Sequence, residues 1–95
     1  MNGGPSSYTR HPAALWRIVG DEVLLARRGS GDLDQLRGSA TDAWQLLYEP
    51  QTLGSLVEAL ADRYGQRPDA IRADVMALLD EMLVRDWVVR VDADE

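Results

Sequence analysis

The chain has no cysteine, no lysine, no phenylalanine and a single histidine, His11. Without cysteine there can be no disulfide, no thiolate chemistry and no cysteine-held zinc or iron–sulfur centre, so packing alone must stabilise the fold, as suits a cytosolic protein. Long apolar runs are missing too. Nothing approaches the roughly 18 apolar residues of a membrane span, and the start, Met1 to Tyr8, has neither the basic beginning nor the apolar stretch of a secretion signal. A cytoplasmic protein without a membrane partner is the expectation. Catalysis needs groups that exchange protons, attack carbonyls or hold metals, and these absences leave few. His11 sits alone in Arg10-His11-Pro12, and no two carboxylates have a spacing that fixes them for acid/base work. No catalytic residue, metal or cofactor is expected.

What remains is ordinary for one small domain. Hydrophobic residues make up 45% of the 95 residues, and a chain of this size buries about 60 to 65% of its unfolded surface in a single core. The formal net charge is -6, so the surface repels phosphate backbones and nucleic acid is not an expected partner.

Residues 1–12, rich in Gly, Pro and Ser and without apolar periodicity, read as a flexible tail. Leu15 to Val19 and Val23 to Arg27 are strands around the turn Gly20-Asp21-Glu22. Gly29-Ser30-Gly31 is a second turn; it lacks the lysine of a phosphate loop and opens no helix. Asp32-Leu33-Asp34-Gln35-Leu36 alternates polar and apolar residues as a third, short edge strand with unpaired backbone groups.

At Ser39 the period becomes helical. Ser39-Ala40-Thr41-Asp42 resembles a capping box, with Ala43, Trp44, Leu46 and Leu47 following over residues 40–48. Pro50 ends that helix. Thr52 caps a second, whose inward face is Leu53, Leu56, Val57 and Leu60, and Gly65 terminates it. Pro68 opens a third helix, with Asp69 at its positive end. Arg85-Asp86 breaks it, and Trp87 to Val91 is extended before the acidic residues 92–95. The expected fold is α+β, a winged helix-turn-helix-like domain with a three-stranded antiparallel sheet followed by three helices.

On the third helix, Ile71, Val75, Leu78 and Met82 fall within about 60° and face the core. Met76, Leu79 and Leu83 widen the apolar arc on one side, while Asp74 and Glu81 occupy the other. A wide core stripe accounts for this arc. So does a groove beside the third strand, lined by Val75, Met76, Leu79 and Leu83 and rimmed by Arg72 and Asp80. In the second case an extended peptide adds to the edge Asp32 to Leu36, and its alternate side chains enter the groove. A DNA-reading role for this helix fits poorly with Asp69, Asp74, Asp80 and Glu81 against Arg72 and Arg85.

The order of elements resembles the PqqD-like family, the peptide recognition elements of ribosomal peptide biosynthesis. The resemblance covers about residues 12–91. It is carried by the hairpin Leu15 to Arg27, the strand Leu33 to Leu36 entering Gly38-Ser39-Ala40-Thr41, the run Ala43-Trp44-Gln45-Leu46-Leu47, then Tyr64-Gly65 and Ile71-Arg72-Ala73-Asp74-Val75. Leu36-Arg37 stands where the family often has Leu-Asn, and Asp86 where it often has Gly. The resemblance implies a recognition domain over 13–91 that binds a precursor's leader segment at the edge strand. From the residues, a monomer is expected, with the unpaired edge as the place where a weak dimer would pair. The chain is most similar to the stand-alone lasso-peptide version, whose partners are a leader peptidase and a cyclase. The PQQ-type version serves a radical SAM enzyme, and a winged-helix transcription regulator is the rival from another class.

Overall fold

The computed structural model describes residues 6–27, 29, 31 and 33–91. The elements run β1 (Ser7–Arg10), β2 (Ala14–Val19), β3 (Glu22–Arg27), β4 (Leu33–Leu36), α1 (Ser39–Leu46), β5 (Gln51–Thr52), α2 (Leu53–Tyr64), α3 (Pro68–Val84) and β6 (Val88–Val91). One three-stranded antiparallel sheet has the order β2-β3-β4, and a second has β5-β1-β6. The meander and three helices match the fold expected from sequence.

Register decides what the meander buries. Val23 pairs with Ile18 and Leu36, and Leu25 pairs with Trp16 and Asp34. Val23 and Leu25 are wholly buried, so this face meets the helices. Trp44, Leu47, Leu56, Val57, Leu60, Val75, Leu79, Met82, Trp87 and Val88 complete one core.

Helix ends follow local chemistry in two of three cases. Thr52 Oγ1 accepts the Ser55 amide at 3.0 Å, and Gly65 closes α2 in the left-handed region at φ 65°. Pro68 opens α3 with Asp69 in its first turn. The capping box expected at Ser39 does not form. Gly38, at φ 59°, takes the cap position without a side-chain bond, in a region essentially reserved for glycine when ψ is -131°. Thr41 Oγ1 donates instead to the Leu36 carbonyl at 3.1 Å, and Asp42 binds Arg63 at 3.0 Å and the Tyr64 hydroxyl. Both side chains find partners outside their own first turn.

The tail expected over residues 1–12 is corrected for Ser7–Arg10, which form the central strand of the second sheet. Periodicity missed it because its stabilisation comes from far along the chain. Arg10 Nε and Nη2 donate to the Trp44 carbonyl at 2.9 and 2.7 Å, and the Arg10 amide donates to the Leu47 carbonyl at 3.2 Å. Its guanidinium lies 4.6 Å from the Trp16 ring centre and 4.8 Å from that of Trp44. These contacts add donors to carbonyls at the C-terminal end of α1, where a helix runs short of intrahelical partners, and set the guanidinium against two indole rings.

Candidate functional site

β4 is an edge of its sheet, with β3 on one side only. Beside the free edge lies a cleft of about 300 Å³. Asp34, Gln35, Leu36 and Arg37 form one wall, Leu78, Glu81 and Met82 of α3 with Arg85 just after it the other, and Ala40 and Trp87 complete the lining. A second recess of about 210 Å³ shares Leu78 and continues along α3 past Val75, Asp74 and Ile71 to Leu60 and Tyr64. A third, of about 360 Å³, opens beyond Asp34 and Arg85 towards Leu33 and Trp87. The three recesses follow one flank of α3.

Asp34 organises the junction. It lies opposite Leu25, on the face that meets the helices, and its carboxylate collects three kinds of donor. The Gln35 amide donates to Oδ1 at 2.9 Å; the Trp87 indole at 3.0 Å and Arg85 Nη1 at 2.9 Å both donate to Oδ2. Burial alone would raise the carboxyl pKa, but the Gln35 and Trp87 hydrogen bonds and the Arg85 charge together hold it below the ordinary carboxylate range. Arg85 also reaches Glu81 at 3.2 Å. A β4 backbone donor, the Gln35 amide, is thus occupied by a neighbouring side chain, which an incoming carbonyl could replace. Farther along, burial and the Asp42 hydrogen bond push the Tyr64 hydroxyl up to about 12.

The structure brings part of the expected site together. Leu33, Asp34, Gln35 and Leu36 lie at the edge, Leu33 strongly exposed and Leu36 buried. Asp32 lies outside the described residues. On α3 the expected flank divides between core and surface. Leu79 and Val75 are 4% and 5% exposed within the core, and Leu83 packs against that core half-buried. Arg72, Met76 and Asp80 are exposed and line none of the three recesses. Of the six α3 residues expected in the groove, Val75 is the one that lines any of these three recesses, in the second.

The reason is physical. The more apolar flank of an amphipathic helix is the one drawn into the core, and an open groove is left to the mixed flank. Asp74, Leu78, Glu81 and Arg85 occupy that flank, and the sequence shows them at i, i+4, i+7 and i+11, one stripe of a helix. That signal was available for the residues missed. Trp87 and Arg37 carried none, since their places depend on how the chain turns at each end of the cleft.

A free sheet edge thus lies beside a partly apolar groove, and no group of three metal-binding side chains is gathered among the described residues. Residues 22–88 match the family model of PqqD, coenzyme PQQ synthesis protein D, and the chain belongs to that family. Among solved structures, TbiB1 in complex with the TbiA(beta) leader peptide is similar in fold: the TM-score is 0.75 at 20% identity, over 84% of this chain and 93% of that one. No curated protein matches in sequence.

Proposed function

We propose that this domain captures the leader segment of a ribosomally synthesised precursor peptide and holds it for separate modifying enzymes. The observation that carries this is the free edge of β4 beside the cleft on α3. Membership of the PqqD family supports it, as does the likeness in fold to a protein that holds a leader peptide. The leader adds a strand to Leu33–Leu36, and its backbone hydrogen bonds supply affinity whatever its sequence. A peptide carbonyl takes the Gln35 amide from Asp34, which keeps Trp87 and Arg85 as donors. Side chains on the inner face of the added strand enter the cleft over Leu36, Leu78 and Met82 and give selectivity. No bond is made or broken; the domain raises the local concentration of substrate at its enzyme.

The stand-alone lasso type is the closer fit, with a leader peptidase and a cyclase as partners; in the PQQ type the partner is a radical SAM enzyme. The domain works in the cytoplasm, as a monomer whose edge is open to peptide. No helix among the described residues is long and apolar enough to cross a membrane.

The test is titration of a synthetic leader from the neighbouring precursor gene, followed by calorimetry and amide NMR. Low-micromolar or tighter binding is expected, with the largest shifts at Leu33 to Leu36 and the Trp87 indole, and none from the core peptide alone. Shifts confined to α2, or preference for the core peptide, overturn the proposal. Sequence-dependent retardation of the operon's own promoter DNA at low salt would favour the transcription-regulator alternative.

A further inference from the structure

The floor of the groove is apolar, built from Leu36, Ile71, Val75, Leu78 and Met82, but its walls carry an imbalance of charge. Asp34, Asp74 and Glu81 line it against two guanidiniums, Arg37 and Arg85. Arg37 is held 3.1 Å from Glu22, which does not line the groove. Arg85 is divided between Asp34 at 2.9 Å and Glu81 at 3.2 Å. Asp74 has no ion-pair partner among the described residues. Asp74 and Glu81 stand seven residues apart on one flank of α3, which is about two turns, or roughly 10 Å.

An acidic segment entering this groove would meet a surplus of its own sign, on a chain whose formal charge is already -6. It would find no unshared guanidinium, because both arginines in the walls already face carboxylates. A cationic segment neutralises Asp74 and takes up the half of Glu81 that Arg85 leaves unserved. Like charges brought together across an interface are costly, and opposite charges both steer encounter and fix register. We propose that the groove selects a segment that is cationic as well as apolar, with Asp74 and Glu81 as the specificity-determining residues that meet its lysine or arginine side chains. This rests on the leader-capture function and names the chemistry of the leader it takes.

The probe is the synthetic leader encoded beside this gene, titrated into the full chain at low and at moderate salt. Binding should weaken severalfold as salt rises, because exposed pairs are screened over about 10 Å at 0.1 M ionic strength. Asp74→Arg and Glu81→Arg should each weaken it about threefold to fivefold, in keeping with exposed ion pairs. Both positions are exposed, and an unchanged melting temperature confirms an intact fold. A leader with its lysines and arginines replaced by glutamine should bind the parent chain weakly and lose the salt dependence. The inference is overturned if the native leader binds with a salt-independent Kd, if both charge reversals leave affinity unchanged, or if the leader that binds carries no cationic side chain. Failure of the native leader to bind at any salt is a different result, and it removes the leader-capture function itself.

Discussion

Asp34 is the residue at which fold and site meet, because its carboxylate joins β4 to the end of α3 and to Trp87. Its pKa in the folded protein lies below the ordinary value, about 3.9 in an unfolded chain. Its stabilising contribution is therefore fully present above that unfolded value and is lost as pH falls through the lower, folded one. The melting temperature of the native chain should drop more steeply below about pH 4 than that of Asp34→Asn, whose amide does not titrate in this range. Parallel acid-melting curves for the two would show that Asp34 contributes nothing. The sequence marked Asp34 as an edge residue, but not its partners, which lie 51 and 53 positions away. Leu79 gives the opposite lesson. Alternation around the helix axis left it between core and groove, and its 4% exposure decides for the core. Leu79→Asp should cost about 3–5 kcal/mol or prevent folding, as an unpaired buried charge does. Met76 is 47% exposed and lines none of the three recesses, so Met76→Ala should leave both melting temperature and leader affinity nearly unchanged. A stable Leu79→Asp variant in chemical denaturation, or a Met76→Ala variant with lost leader affinity, contradicts these placements.

At the scale of elements, the meander, α2 and α3 were legible because each carries its own signal: alternation, a capping Thr52, a terminal Gly65, a proline at the first turn. The join of α3 to β6 was legible too, since Arg85-Asp86 interrupts the pattern. There Asp86 stands at φ 63°, and the next amide, of Trp87, donates to the Met82 carbonyl at 3.0 Å. A left-handed residue followed by such a bond is a common way to end a helix. Glycine takes this conformation without steric cost, whereas alanine does not, and the Arg27–Asp86 ion pair at 2.9 Å is exposed and worth little. Asp86→Gly should therefore match or exceed the native chain in stability, while Asp86→Ala should lose about 1 kcal/mol. Urea midpoints separate the outcomes, and an Asp86→Gly variant clearly less stable than the native chain would mean that the Asp86 side chain contributes more than the strain its removal relieves. β1 had no comparable signal, because Ser-Tyr-Thr-Arg is neither alternating nor apolar, and its partners β5 and β6 lie some 40 and 80 residues away.

For the whole molecule, this missed strand changes where the domain begins. Sequence pattern put the boundary near Pro12, where the periodic residues start. In the folded chain β1 is the middle strand of its sheet, so its removal leaves β5 and β6 without a shared neighbour. It also strips α1 of the Arg10 and Thr9 donors on the Trp44 and Leu47 carbonyls, and uncovers Trp44, which has no exposure in the intact fold. Tolerance of truncation depends on what burial and hydrogen bonding the lost segment supplied, not on its nearness to a terminus. A domain of this size holds a margin of roughly 5–10 kcal/mol, and several net hydrogen bonds at about 1 kcal/mol each are a large share of it. A chain shortened to begin at Pro12 should melt at least about 10 °C lower, or not cooperatively, since 1 kcal/mol moves the midpoint of such a domain by about 4–8 °C. One that begins at Ser6 should keep the native midpoint. Leader affinity supplies the second readout: β4 and β1 belong to different sheets, and beside the cleft the removed segment reaches Trp87, whose carbonyl accepts the His11 amide at 2.9 Å. Whatever fraction of the shorter chain stays folded should therefore bind leader with near-native affinity. Equal midpoints for the two shortened chains would return residues 6–11 to the status of a tail, and a folded shorter chain that fails to bind would make β1 part of the site.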